Sequence, residues 1–420
     1  MPFGGVRDFF GSLFLATTWR MAARNLFRNG RRTAIVFSAI AIGLGGLMIA
    51  MAVNYGMIFE MVQLAIRNEL GHIQVHGPGW SAKPGVEIRV DEASTLRGVS
   101  GAALPGLRAW APRVRGEGLA SSARGNVGIA LVAIDPEREA AVTGIREAVF
   151  EGAYLEGDQR RALVGERLAR RLHVGVGDRI VVSAQDVAGD LTGEAFRVGG
   201  VFRTASLELD ERTVFVPLGR GRRMLGMHDE ISELVVVAEE QEGVDVLRAA
   251  LAERLPGDLE VRTWSEIRPL LQYMVDMFQQ MGWIIYAAIF IAMAFGIANV
   301  LLMSVYERMR EIGIMMAIGM KPGRMVGTVV AESLCLTLLG VAGGFALGIG
   351  GVWLLSDGID LSRWAEGLNA FGVPARIVPV IPQNDLIAPV VVAVVTALIA
   401  SLWPAVRAVR ARPAEAVRHV

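Results

Sequence analysis

The sequence predicts a membrane α-helical protein: four transmembrane helices, with a large extracytoplasmic α+β domain carried on helical stalks. Three observations predict it. Long uncharged apolar runs occur once near the N-terminus and three times after residue 280. Residues 71–263 alternate between strand-like and helix-like patterns. Arginine concentrates in short segments flanking the apolar runs.

Composition bounds the answer further. A chain of 420 residues is too long for one ordinary domain. Its hydrophobic fraction of 53% and mean hydropathy of +0.43 are high for a wholly soluble protein. A formal net charge of zero offers no global basic field for nucleic acid. The one cysteine, Cys335, lies in an apolar run, so neither an intrachain disulfide nor a cysteine zinc site is expected.

Residues 1–32 carry six arginines against Asp8, with apolar residues at helical spacing. They read as an amphipathic helix on the inner membrane face rather than a cleavable leader. Residues 33–70 read as the first span and a stalk. At 1.5 Å per residue such a helix is about 57 Å long, well beyond a bilayer.

In the 71–263 domain, "HIQVH" alternates as a strand. His72 and His76 then lie ~13 Å apart, too far to share a metal, and two exposed histidines are expected. "GLASS", "NVGIALVAID", "RIVVSA", "EAFRVGGVFRT", "ERTVFVPL" and "ELVVVAEE" read as strands, and "RRALVGERLARRL" and "GVDVLRAALAERLP" as helices.

Residues 264–306 read as a second stalk and span, with Ser265 as N-cap and Pro269 in the first turns. Residues 307–324 form a charged cytoplasmic helix and a turn at Lys321-Pro322-Gly323. Residues 325–355 are a third span, 356–385 an outer loop, 386–406 a fourth span and 407–420 a tail. Arginine-rich ends and the 307–324 segment place both termini in the cytoplasm.

Four groups of residues carry functional readings. Gly340, Gly344 and Gly348 repeat every four residues, a close-packing face for a neighbouring span. Asn299 and Glu332 are polar groups within apolar runs, where such groups find partners inside a bundle. Methionines cluster where each stalk meets the membrane: Met57 and Met61, then Met274, Met277 and Met281, with Tyr55, Phe59 and Phe278 among them. They either pack the stalks together or form an adaptable cradle for lipid chains. The charged 307–324 segment has two readings as well, a rigid handle for a cytoplasmic partner or a cap anchoring two helices.

The stretch "VYERMREIGIMMAIGMKPGRM" followed by "AES" resembles the signature of FtsX/MacB/LolE-type permeases, the membrane subunits of mechanotransmitting ABC systems. Glu307, Arg308, Arg310, Glu311, Gly313, Ala317, Gly319 and Glu332 fall on that pattern, and Asn299 matches the asparagine preceding it. The resemblance implies that Met309, Ile312 and Met316 dock on an ATPase. The chain has no G-x-x-x-x-G-K-[ST] loop and only two lysines, Lys83 and Lys321. No cofactor or metal is therefore expected in this chain, and ATP and Mg would be bound by the partner ATPase.

The layout implied is LolC/LolE-like, in the bacterial inner membrane. Further partners would be a second permease copy or paralogue, membrane lipid, and a periplasmic lipoprotein carrier or an adaptor. Lipoprotein release, MacB-like efflux and FtsX-like signalling to a cell-wall hydrolase are the three functions it leaves open.

Overall fold

A computed structural model describes residues 30–410 except 83–84, 101–103, 158, 308, 365–366, 369–372, 374 and 382–385, together with Arg20 and Arg24. The expected N-terminal amphipathic helix and the C-terminal tail lie largely outside the described residues. The chain forms two compact units. One holds the chain up to Ile58, Asp276–Asp360 and the chain from Arg376, and the other holds Phe59–Val275 with Leu361–Ala375.

The helical unit is built from parts of long helices. α1 spans Gly30–Ala65 and continues as a π-helical turn, Ile66–Leu70. Among the described residues, Thr33–Leu70, Pro269–Glu307 and Pro322–Leu354 are long and apolar enough to cross a membrane, while the apolar stretch Pro389–Leu402 is shorter. The core here joins Ile40, Leu44 and Met48 of α1 to Met293, Ile297, Leu336, Ala393 and Ala397.

The other unit is an α/β domain on one mixed sheet. In chain order it comprises β1 (Ile73–His76), β2 (Val90–Asp91), α2 (Glu92–Ser100), β3 (Leu107–Ser121), β4 (Asn126–Ile134), α3 (Pro136–Val142), α4 (Ile145–Ala148) and β5 (Val149–Gly152). There follow β6 (Arg161–Gly165), α5 (Glu166–Leu172), β7 (Arg179–Gln185), β8 (Leu191–Phe202), α6 (Leu207–Arg212), β9 (Thr213–Pro217) and α7 (Leu218–Leu225). The unit closes with β10 (Glu230–Ile231), β11 (Glu233–Ala238), α8 (Val244–Arg254), β12 (Glu260–Thr263) and α9 (Trp264–Ile267).

The strand order is β12-β1-β11-β3-β4-β9-β6-β8-β5, with β7 bridging β3 and β8. Pairing β3-β4-β9-β6-β8-β7 therefore returns to β3, and this part of the sheet closes on itself. Closure leaves no open edge there. Two parallel pairs, β4 with β9 and β6 with β8, require the helical crossovers that make the domain α/β. β1 pairs antiparallel with β11 on one side and β12 on the other, so the segments beside both stalks are neighbouring strands.

Several local expectations change. "RRALVG" is a strand, not the start of a helix, because Ala162, Leu163 and Val164 are fully buried between β8 and β9. The strand expected at "GLASS" begins earlier, at Leu107. His72 and His76 are buried, not exposed, because β1 is internal to the sheet. His72 Nδ1 accepts from the Ala238 N–H at 3.2 Å, and His76 stacks on Trp80 at 3.7 Å.

Thr263, not Ser265, caps α9, in a capping box with Glu266. The chain then breaks at Arg268 (φ −118°, ψ 73°), because the following proline disfavours helical geometry in the residue before it. Pro269 opens α10, Pro269–Glu307. Next come α11 (Met309–Ala317), α12 (Pro322–Leu354), the short strands β13 (Ile359–Asp360) and β14 (Arg376–Ile377), and α13 (Ile387–Arg410). The turn expected at Lys321-Pro322-Gly323 falls earlier, where Gly319 takes φ +102°. Pro322 is instead the first residue of α12, a position that needs no amide donor.

Candidate functional site

In the α/β unit, the end of the first stalk and the start of the second converge on two strands. The π turn at Ile66–Leu70 carries Glu69, and the break before α10 carries Arg268. Arg113 and Arg115, two residues apart, share one face of β3. Glu233 of β11 stands opposite Arg113 in the strand register.

The Arg113 guanidinium donates Nη2–H to Glu139 Oε1 at 2.6 Å and Nε–H to Oε2 at 3.0 Å. Its Nη1 donates to the Glu69 backbone oxygen at 2.6 Å and to Glu233 Oε1 at 3.3 Å. Thr143 Oγ1 donates to Glu139 Oε1 at 2.9 Å. Arg115 Nη2 donates to Glu69 Oε1 at 2.8 Å, while its Nε lies 3.0 Å from Glu233 Oε1, out of line for a hydrogen bond. Arg268 closes the set, donating Nη2–H to Glu69 Oε2 at 2.9 Å and Nη1–H to Glu208 Oε2 at 3.0 Å.

Burial alone would push the Glu233 carboxyl up. The Arg115 and Arg113 charges outweigh it and hold that carboxyl below the usual carboxylate range. Burial would likewise lower Arg113, and Glu139 outweighs it, so the guanidinium stays charged. Two further bonds extend the joint: the Gln74 side-chain Nε2–H donates to the Leu70 oxygen at 2.9 Å, and the Trp264 N–H to the His72 oxygen at 3.1 Å.

Beside this network lies a cleft of about 370 Å³, with apolar lining from Met61, Leu64, Ala65, Leu270, Leu271 and Met274 and charged lining from Glu69, Glu208 and Arg268. That volume is within the range of small-molecule sites. Of the methionines and aromatics singled out in the sequence, the structure brings together Met61 and Met274 here. Phe59 is half-buried outside the cleft lining. Tyr55, Met57, Met277, Phe278 and Met281 belong to the helical unit. There, Tyr55, Met277 and Met281 are exposed, at 39%, 37% and 50%.

In the helical unit, Gly340, Gly344 and Gly348 of α12 face α1. A Cβ at these positions would stand 2.7 Å from Ile40 Cβ, 2.8 Å from Leu44 Cβ and 2.8 Å from Met48 Cβ. Glu332 is buried and Asn299 is exposed, so the two face different surroundings.

In the charged segment, Ile312 is buried with Val305 and Met325, and Met309 and Met316 pack against them. The apolar face expected to meet a partner is thus occupied by the chain's own residues, because α11 folds back onto the start of α12. The exposed surface of α11 and the turn after it is instead Arg310, Glu311, Ile314, Ala317, Ile318 and Gly319, with Glu307 just before it. Gly313 is buried, and Arg308 lies outside the described residues. Among the described residues, no group of three His, Cys, Asp or Glu is placed to hold a metal ion.

An α/β domain continuous with two long apolar helices, followed by a charged helix, fits a membrane protein of the permease class. Residues 33–254 match the MacB-like periplasmic core domain and residues 283–413 the FtsX-like permease C-terminal region. The chain belongs to the family of ABC permeases that carry this pair of domains. It is similar to the lipoprotein-releasing system transmembrane protein LolC of Xylella fastidiosa, at 23% identity over 75% of this chain and 78% of the relative. It is also similar to the macrolide export ATP-binding/permease protein MacB of Chlorobium luteolum, at 29% identity over 47% of this chain and 28% of the relative. The periplasmic region of MacB from Actinobacillus actinomycetemcomitans covers 51% of this chain and 98% of that structure, at 11% identity and a TM-score of 0.35.

Proposed function

We propose that this permease, as a pair with a second copy or a paralogue, transmits the work of a separate cytoplasmic ATPase to the periplasmic side of the inner membrane. The work done there is release of lipoproteins to a soluble carrier. In this reading four helices span the membrane, both termini are cytoplasmic, and the exposed surface of α11 meets the ATPase. ATP and Mg stay with that partner, since the 420 residues contain no phosphate-cradling loop of the Walker type.

The observation that carries the reading is the convergence of both stalk helices on one ion network in the α/β domain. α1 and α10 each run from an apolar stretch into that network, so each can convey displacement to the sheet. The similarity to LolC covers most of both chains and favours lipoprotein over small-molecule substrates. Met61 and Met274 supply the flexible lining that acyl chains of varied length need.

The test is reconstitution of the full chain in proteoliposomes with a purified ABC ATPase of the lipoprotein-releasing type and an acylated lipoprotein. ATP-dependent transfer of the lipoprotein to a soluble carrier is expected, together with photocrosslinking to lipoprotein from a probe at Met61. Transport of a macrolide without lipoprotein release would replace this reading with efflux. ATP turnover without transfer of either would replace it with signalling. A reporter at Gly189 that behaves as cytoplasmic would overturn the orientation.

A further inference from the structure

The ion network is graded from permanent to exposed. Arg113, Glu139 and Glu233 have side chains 1%, 0% and 3% exposed. Removing a partner there would leave a buried charge without compensation, which is strongly unfavourable. Arg268, Glu69 and Glu208 are 40%, 21% and 64% exposed. Water reaches Arg268 and Glu208 and screens their pairs, while Glu69, more enclosed, keeps its bond from Arg115 at 2.8 Å when Arg268 leaves. The same guanidinium–carboxylate chemistry therefore makes a fixed half and a half that can open.

The backbone is irregular at both members of the opening half. Glu69 sits in the π turn that ends the first stalk helix before Gly71. Arg268 is the non-helical residue between α9 and α10. The Arg268 N–H donates to the Trp264 oxygen at 2.9 Å, and its own oxygen accepts from Leu271 and Gln272 at 3.0 and 3.2 Å. Rotation there disturbs only the terminal bonds of α9 and α10, so the return stalk has a hinge where its ionic tie is made.

The pair also divides two clefts. Glu69, Leu70 and Arg268 line both the apolar cleft described above and a second one of about 360 Å³. The second is lined further by Trp80, Arg115, Glu117 and Glu233. Residues common to both clefts form the partition between them.

We propose that the Glu69–Arg268 pair is a releasable pin. Closed, it ties both stalk helices to the β3–β11 face; parted, it frees the return stalk and joins the apolar cleft to the charged one. This rests on the reading that the stalks move. It adds the point at which they disengage, while the Arg113 bond to the Glu69 backbone oxygen and the Arg115 bond to the Glu69 carboxylate keep the first stalk attached. The joined cleft suits an amphiphile whose chain lies along Met61 and Met274 and whose polar end reaches Arg115.

The test is hydrogen exchange on the full-length protein in lipid nanodiscs, without any ATPase, so that its outcome is independent of the transport reading. In Arg268→Gln, amides of residues 66–71 and 264–272 are expected to exchange about tenfold faster, from the loss of two partly exposed ion pairs and the opening they restrain. Amides of β3, β4 and β11 are expected to be unchanged. The double variant Glu69→Gln/Arg268→Gln should show no further local acceleration at residues 264–272, because the pin is already open. Exchange at both segments as slow as in the unaltered protein would overturn the pin. So would acceleration spread evenly over the sheet, which would make Arg268 an ordinary part of the core. Additive acceleration at residues 264–272 in the double variant would also overturn it.

Discussion

Arg113 and Glu139 form a two-point ion pair at 2.6 and 3.0 Å with almost no exposure of either side chain. A pair this deep contributes little net stability compared with apolar residues of the same shape, but it is costly to halve. Arg113→Met is expected to destabilise the protein by about 3–5 kcal/mol, since Glu139 is then buried without its cation. Arg113→Met with Glu139→Leu should recover most of that loss. Urea unfolding of the full chain in detergent micelles measures both, and a single variant within about 1 kcal/mol of the parent would contradict the burial argument.

This network was not legible in the sequence, for a physical reason. Arg113 is separated from Glu139 by 26 residues and from Glu233 by 120, and Arg268 from Glu69 by 199. The segment holding Arg113 and Arg115, "LRAWAPRVRGEG", has a proline and three arginines and lacks a β-branched run, so only the later "GLASS" reads as strand. The long apolar helices were legible, because periodicity and charge-free length are local properties. Cap details fell between: Thr263 and Ser265 are both good caps, and the sheet, by extending β12 to Thr263, selects the first.

The packing of α12 on α1 makes a second expectation. Gly344→Leu would drive its side chain into Leu44, whose Cβ already stands 2.8 Å from an ideal Cβ at this site. Overpacking of this kind costs about 1–3 kcal/mol or more where both partners are helical backbone neighbours. Gly350→Ala is the control, since nothing lies within 4 Å of a Cβ there. Monodisperse yield in detergent should fall for Gly344→Leu and hold for Gly350→Ala; equal yields would refute close packing of these helices.

Stability of the α/β domain should also depend on pH through Asp210. Burial pushes its carboxyl up to about 6, although the Thr204 N–H and Oγ1 donate to it at 2.9 and 2.8 Å and favour the charged form. The ordinary value is 3.8. Between those values the folded state binds more protons than the unfolded state, so stability falls as pH rises. The fall amounts to about 3 kcal/mol at most, and the contribution is flat above that range. Asp210→Asn should remove this slope. Urea midpoints between pH 4 and pH 7 would report it, and parallel curves for variant and parent would show that Asp210 does not titrate in that range.

The last expectation concerns the α11 surface proposed to meet the ATPase. Ile318 is 81% exposed and Ile314 52% exposed, whereas Ile312 is 3% exposed. An apolar side chain that exposed gains by burial against a partner, and a charge introduced there costs the complex but not the fold. Ile318→Glu should weaken ATPase binding at least about tenfold, the effect expected for losing one well-buried contact, with unchanged yield of inserted protein. Ile312→Glu should instead lower the yield, because its carboxylate would enter the cluster of Val305 and Met325. Reversal of Arg310 and Glu311 together should weaken binding in a salt-dependent way. Surface plasmon resonance with the purified ATPase distinguishes these effects. Unaltered affinity in both Ile318→Glu and the reversed pair would mean that the charged segment only anchors the two helices it joins.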